Sequence, residues 1–250
     1  MGRAAADSVF AGDLAAAAGR LLLAVRRELA EADAQERKDA GDSRSQALLA
    51  ETLGRERPAD AVLSEEAVDD PSRLRAERVW IIDPLDGTRE FGELERTDWA
   101  VHVALWERGR LVAGAVSLPA EDVTLVAGTA QALERRPGPP RVVVSRTRPP
   151  ALALEVARSL GGELVEMGSA GAKVAAVVRG AVDVYVHAGG QYEWDSAAPV
   201  AVALAAGLHA SRIDGSPLLY NQPDPLLPDL LVCRPELAEQ VLAAVYASRS

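Results

Sequence analysis

One cysteine, three histidines and two lysines occur in 250 residues, and each scarcity removes a class of function. The lone Cys233 allows neither an intrachain disulfide framework nor a cysteine-rich zinc site. His102, His187 and His209 are scattered and form no HxxxH or HExxH pair, so the pattern does not support a histidine-built metal site. Lys38 and Lys173 are the only lysines, and arginine carries the remaining positive charge. Positive charge is itself short: 27 Lys and Arg against 37 Asp and Glu leave a net charge of −10. That balance disfavours nucleic acid or an anionic membrane as a partner. Long apolar runs are missing too, since none approaches the ~20 residues of a membrane-spanning helix. The richest stretch, Leu14 to Val25, contains Arg20 and follows Asp7 and Asp13. It reads as the face of an amphipathic helix, not a signal-peptide core, and a cytoplasmic protein is expected.

What remains is an ordinary globular composition, 48% hydrophobic, in a chain long enough for one large or two modest domains. Helical spacing over residues 7–31 predicts a long amphipathic helix, and the charged stretch 38–45 reads as a loop. A second helix is expected from Ser43 to near Gly54. Short apolar runs end at Glu65-Glu66 and at Asp83. Alternating residues 99–106 and 111–118 predict two strands around a turn at Glu107–Arg110, with a third over 122–127. RRPGPPR, 135–141, is the strongest punctuation and places a boundary between an α+β part, 1–136, and an α/β part, 137–250. In the second part, strands at 142–144, 164–167, 182–186 and 230–233 alternate with helices at 150–160, 170–179, 194–206 and 235–248. This alternation implies layered α/β packing.

The acids fall at the ends of these elements. Glu65 follows one apolar strand, and Asp83 follows another with Asp86 just beyond. Asp195 opens a helix after a turn at Gly189-Gly190. Carboxylates at neighbouring strand ends converge on the crevice where layered α/β folds place ligands. Oxygen donors without histidine or cysteine suit Mg²⁺ or Mn²⁺. Pro84 keeps Asp83 extended, so the chain turns afterwards, and the Leu85 carbonyl can face the same cavity. Gly87-Thr88 then opens a short helical turn whose N–H groups and hydroxyl offer an anion site beside the cations. Metals next to an anion site point to phosphoryl chemistry.

LSEE (63–66), WIIDPLDGT (80–88), GSAGAK (168–173) and EWDSAAP (193–199), in this order, resemble the inositol monophosphatase superfamily of metal-dependent, lithium-sensitive phosphatases. The segment from His187 to Asn221 is most similar to the bacterial 3′(2′),5′-bisphosphate nucleotidases of the CysQ type. The resemblance spans nearly the whole chain. It implies an αβαβα sandwich of the inositol monophosphatase/fructose-1,6-bisphosphatase type. It also implies two or three Mg²⁺ ions held by Glu65, Asp83, the Leu85 carbonyl, Asp86 and Asp195, with Mn²⁺ as a substitute and Li⁺ as an inhibitor. Glu65 and Thr88 match the residues that orient the attacking water. The partner aspartate of that threonine matches Asp42 in a degenerate segment, with Asp39 as the alternative.

The implied reaction removes the 3′-phosphate of adenosine 3′,5′-bisphosphate, a by-product of sulfate assimilation. Asp86, Gly87 and Thr88 would meet the scissile phosphate. Ser169 and Lys173, or Ser145 and Arg146, are candidates for the second phosphate, and Tyr192 and Trp194 for the ribose or base. Among the histidines, His187 lies nearest the motifs in sequence, and His102 reads as structural. The rivals are the same apparatus acting on inositol monophosphate or fructose 1,6-bisphosphate, and a noncatalytic binding protein that retains the fold. A homodimer is common in the superfamily.

Overall fold

The computed structural model describes residues 2–135 and 137–249. The expected boundary at 136 falls on Arg136, outside the described residues. A first sheet comprises β1 (Ala61–Ser64), β2 (Arg78–Asp86), β3 (Ala100–Glu107), β4 (Arg110–Leu118) and β5 (Val123–Val126). Its order is sequential, with β1 parallel to β2 and the remaining pairs antiparallel. Helices α1 (Arg3–Glu28) and α2 (Ala34–Glu56) cover its outer face, and the short α3 (Thr88–Gly92) follows β2.

A second sheet comprises β6 (Arg141–Ser145), β7 (Glu163–Met167), β8 (Val184–Tyr192), β9 (His209–Ser211) and β10 (Leu226–Cys233), in the order β7-β6-β8-β10-β9. Helices α4 (Ala151–Ser159) and α7 (Ala238–Arg249) pack on its outer face. Between the two sheets lie α5 (Ala170–Val178) and α6 (Glu193–Ala205), which touch both. The layers therefore run α, β, α, β, α, as the resemblance implies.

This arrangement explains the sequence patterns. All nine residues of β2 are buried because helices cover both faces of its sheet, so the strand reads as continuous rather than alternating. All nine residues of α5, AGAKVAAVV, are buried, and small side chains let it fit between two sheets. By length and hydropathy α1 could cross a membrane. Its Ala11, Leu14, Ala15, Ala18, Leu22 and Val25 are instead buried against the first sheet and α2, the placement of a core helix.

Several expectations need correction. Residues 38–45 are not a loop but the middle of α2. Asp33 caps that helix by accepting from Gln35 N–H at 2.8 Å and Glu36 N–H at 2.9 Å. Its polar residues mostly face water, while Ser45 Oγ donates to the Pro84 carbonyl at 2.7 Å and ties α2 to the turn after β2. The first helix begins at Arg3 and ends at Glu28, earlier at both ends than its spacing predicts. Gly189-Gly190 is no free turn: both residues take positive φ within β8, which continues to Tyr192 and pairs there with Leu226. The three-residue β9 has no counterpart among the expected strands.

Candidate metal centre

β2 delivers Asp83 and Asp86, and the first turn of α6 delivers Asp195. Oxygens of these three carboxyls lie within 4.8 Å of one another. Asp83 Oδ1 accepts the Leu85 N–H at 3.0 Å, which closes the turn at Pro84. Asp83 Oδ2 is buried and has no hydrogen-bond partner among the described residues. Glu65, just past β1, lies beside Asp83 but outside this three-carboxyl group, with its side chain exposed. Its N–H donates to the Ile82 carbonyl at 3.4 Å, so adjacent parallel strands bring the two acids together.

Electrostatics divide the cluster. Burial and the neighbouring charges of Glu65, Asp86 and Asp195 hold Asp83 well above the carboxylate range. Although Glu65 is exposed, partial desolvation and the charge of Asp195 push it to about 7, and burial and Asp86 push Asp195 to about 6. Asp86 runs the other way. Burial would raise it, but His102, Ser169 Oγ–H and Gly171 N–H outweigh that cost and bring it to about 2. Asp86 Oδ1 accepts the Ala170 N–H at 3.2 Å and Oδ2 the Gly171 N–H at 2.6 Å, so it caps the N-terminus of α5. Ser169 Oγ donates to the same carboxylate and accepts the Ala172 N–H at 2.9 Å.

His102, read from sequence as structural, is at the centre of this site. It is fully buried, with Nε2 3.2 Å from Asp86 Oδ2, Nδ1 3.9 Å from Asp83 Oδ2 and Nδ1 3.0 Å from the Trp194 carbonyl. Period-2 alternation on β3 turns it inward, but its role depends on a close approach that sequence spacing does not show. A Cβ at Gly171 would lie 2.0 Å from His102 Nε2, so only glycine admits the ring. His187, nearer the motifs in sequence, faces its own strand, with Nε2 3.3 Å from the Gly190 carbonyl.

Thr88 lies beside the cluster and donates through Oγ1 to the Leu85 carbonyl at 3.0 Å. It also hydrogen-bonds Asp42, which α2 presents half-buried. Burial, with Glu66 and Asp39 nearby, raises Asp42 to about 7. Gly87 takes φ +86°, a left-handed turn that starts α3 and suits glycine. Asp39, the alternative, instead accepts from Gln35 Nε2 at 2.7 Å along α2.

The other candidates stand further out. Lys173 is buried, and its Nζ donates to the Gly168 carbonyl at 3.1 Å and the Ser169 carbonyl at 2.8 Å. It thus braces the loop that holds Asp86, and burial lowers its pKa. Arg146 pairs with Glu90 at 3.0 Å and Glu93 at 2.9 Å, and Ser145 Oγ accepts the Arg148 N–H at 3.3 Å. None of these contacts is to the carboxylate cluster. Tyr192 and Trp194 stack with ring centroids 4.7 Å apart at 9°, and the Trp194 Nε1 is buried without a partner.

An all-oxygen set with an orphaned buried carboxylate oxygen fits a hard divalent cation. Comparison with known proteins agrees. The model of the inositol monophosphatase family matches residues 6–250. The chain is 52% identical over 254 residues to a 3′-phosphoadenosine 5′-phosphate phosphatase of Mycobacterium leprae, covering 96% of this chain and 93% of that one. It is 32% identical over 197 residues to the 3′(2′),5′-bisphosphate nucleotidase CysQ of Escherichia coli strain K12, covering 73% and 78% respectively. The crystal structure of CysQ from Bacteroides thetaiotaomicron matches with a TM-score of 0.80 and 26% identity, over 92% of this chain and 97% of that one. By sequence, fold and the placement of its acids, this chain belongs to the inositol monophosphatase family.

Proposed function

We propose that this protein is a Mg²⁺-dependent phosphatase that hydrolyses the 3′-phosphate of adenosine 3′,5′-bisphosphate to give AMP and phosphate, in sulfate assimilation. The observation that carries the chemistry is the convergence of Asp83, Asp86 and Asp195, with Asp83 Oδ2 lacking a hydrogen-bond partner among the described residues. The substrate rests on the relative of Mycobacterium leprae, whose likeness extends over 96% of the chain.

Glu65, Asp83, the Leu85 carbonyl, Asp86 and Asp195 would hold two or three Mg²⁺ ions, with Mn²⁺ suiting the same donors and Li⁺ inhibiting. When bound, the cations supply positive charge at the phosphoryl oxygens and lower the pKa of water. Glu65 and the Thr88–Asp42 pair would orient the attacking water in line with the P–O3′ bond, and Asp42 would take up its proton. The bond to O3′ breaks as the new P–O bond forms, and O3′ takes a proton from solvent water as AMP departs. Gly87 N–H and the Thr88 hydroxyl face the phosphate beside Asp86.

Ser169 and Lys173 contribute by bracing the loop against Asp86, which leaves Ser145 and Arg146 as the candidates that would meet the second phosphate. Trp194, with Tyr192 stacked on it, borders the ribose or base. The protein would work in the cytoplasm on a small phosphorylated molecule, as a homodimer.

A panel of substrates tests this reading: phosphate release from adenosine 3′,5′-bisphosphate, inositol 1-phosphate and fructose 1,6-bisphosphate, with Mg²⁺ and with added Li⁺. Preference for the nucleotide and inhibition by Li⁺ are expected. Preference for an inositol or sugar phosphate overturns the substrate, no turnover of any favours a binding protein, and full activity in excess chelator overturns the metal centre.

A further inference from the structure

Glu65 and Asp195 approach Asp83 and Asp86 from opposite halves of the chain, and beyond the Glu65 N–H bond to Ile82 the segment that follows Glu65 has little to hold it. From Glu65 to Glu77 the one buried residue is Arg73, which is 0% exposed within the 3₁₀ turn Pro71–Arg75. Packing alone gives no reason for a charge there, because a buried guanidinium stabilises less well than apolar side chains of similar volume.

The partners of Arg73 suggest its use. Asp69 on its own segment receives Nε at 2.6 Å and Nη2 at 2.9 Å. Across the fold, Nη1 donates to Asn221 Oδ1 at 2.7 Å and Nη2 to the Gln222 carbonyl at 2.9 Å. Asn221 Nδ2 donates back to the Arg73 carbonyl at 3.3 Å. The same turn grips α6. Glu193, 1% exposed at the start of that helix, accepts the Asn221 N–H at 2.6 Å and the Gln222 N–H at 2.7 Å, one on each carboxylate oxygen. Asn221 holds φ +59°, a left-handed conformation that glycine adopts most easily and asparagine tolerates among residues with a side chain. Glycine would be easier in the backbone, so the amide side chain that joins the two halves accounts for asparagine at this position.

We propose that Arg73, Asn221 and Glu193 form a positioning bridge that sets Glu65 against Asp195 across the candidate metal centre. This inference rests on the metal-centre reading above. Arg73 anchors the Glu65 segment, Asn221 transmits its position, and Glu193 orients the first turn of α6 two residues before Asp195.

Titration calorimetry of the full chain with Mn²⁺ alone, without substrate, tests the bridge. Asn221→Gly removes the amide side chain and relieves the backbone, whereas Asn221→Asp keeps the Oδ1 acceptor for Arg73. Asn221→Gly is expected to weaken Mn²⁺ binding about tenfold or more, and Asn221→Asp to stay within about threefold of the wild type. Thermal midpoints of both variants are measured alongside. Asn221→Gly with wild-type affinity overturns the bridge, even if its midpoint falls, because the network is then structural only. Equal losses in the two variants overturn it as well. If the wild type itself binds no divalent cation, the metal-centre reading fails first and the bridge with it.

Discussion

His102 Nε2 stands 3.2 Å from Asp86 Oδ2 while its Nδ1 stands 3.0 Å from the Trp194 carbonyl, so one imidazole joins the end of β2 to the first turn of α6. Nδ1 bonds the carbonyl, while the buried Nε2 lies close to the carboxylate without a completed hydrogen bond. The ring therefore sits behind the carboxylates as an orienting group, not among them as a ligand. His102→Ala should weaken Mg²⁺ or Mn²⁺ affinity by about 10–100-fold, and His102→Asn by less, since an amide retains one donor. Calorimetry with the metal alone reads the difference, and unchanged affinity in the alanine variant would remove His102 from this role.

Gly171→Ala attacks the same contact from the other side. Its new methyl would meet His102 Nε2 at 2.0 Å, with helix backbone behind it and a buried ring in front. Neither can yield freely, so a destabilisation of about 1–3 kcal/mol is expected, together with weaker metal binding. Urea denaturation at constant slope measures the first and calorimetry the second.

Asp83→Asn should separate stability from activity. The carboxyl is 1% exposed, surrounded by like charges and left with one oxygen unpartnered. An amide there relieves repulsion in the metal-free protein, for a gain of about 1 kcal/mol, yet removes a proposed ligand and should lower turnover about 100-fold or more. Loss of stability in chelator would show that the acids do not strain one another.

The pH dependence follows from the raised carboxyls. Unfolded Asp and Glu titrate near pH 4. In the folded chain desolvation and neighbouring charge raise Asp42 and Glu65 to about 7 and Asp195 to about 6. The native state therefore binds more protons across this window, and its stability is greatest at the acid end and falls as pH rises through the folded values. In excess chelator the melting temperature should be higher near pH 6 than near pH 8 by a few degrees, roughly 2–4 °C for each kcal/mol lost. Saturating Mg²⁺ displaces those protons and should shrink or reverse the difference, with proton release visible on binding.

Much of the centre could be read along the chain, and the remainder shows why it could not. Asp83, Asp86 and Asp195 stand out because apolar runs stop abruptly at them, and Pro84 forces the intervening turn. Asp42 was harder to place in its element because α2 is polar on most of its surface and contains Gly41, so charge and glycine masked a continuous helix. The layers followed from alternating strands and helices, but β8 runs through two glycines that ordinarily mark a turn. His102 and Arg73 were the hardest. Their contacts reach Trp194 and Asn221, 92 and 148 residues away, and local periodicity carries no trace of such distances.

Helix α5 presents no face to water, since every residue from Ala170 to Val178 is buried between the two sheets. Its backbone amides can meet solvent only if the sheets part, which amounts to unfolding the chain. Hydrogen exchange of Val174 to Val178 should therefore report global opening, even when the outer helices fray. The loop that holds Asp86 would then be attached to the slowest-opening part of the molecule, and a metal centre mounted there would last as long as the fold itself.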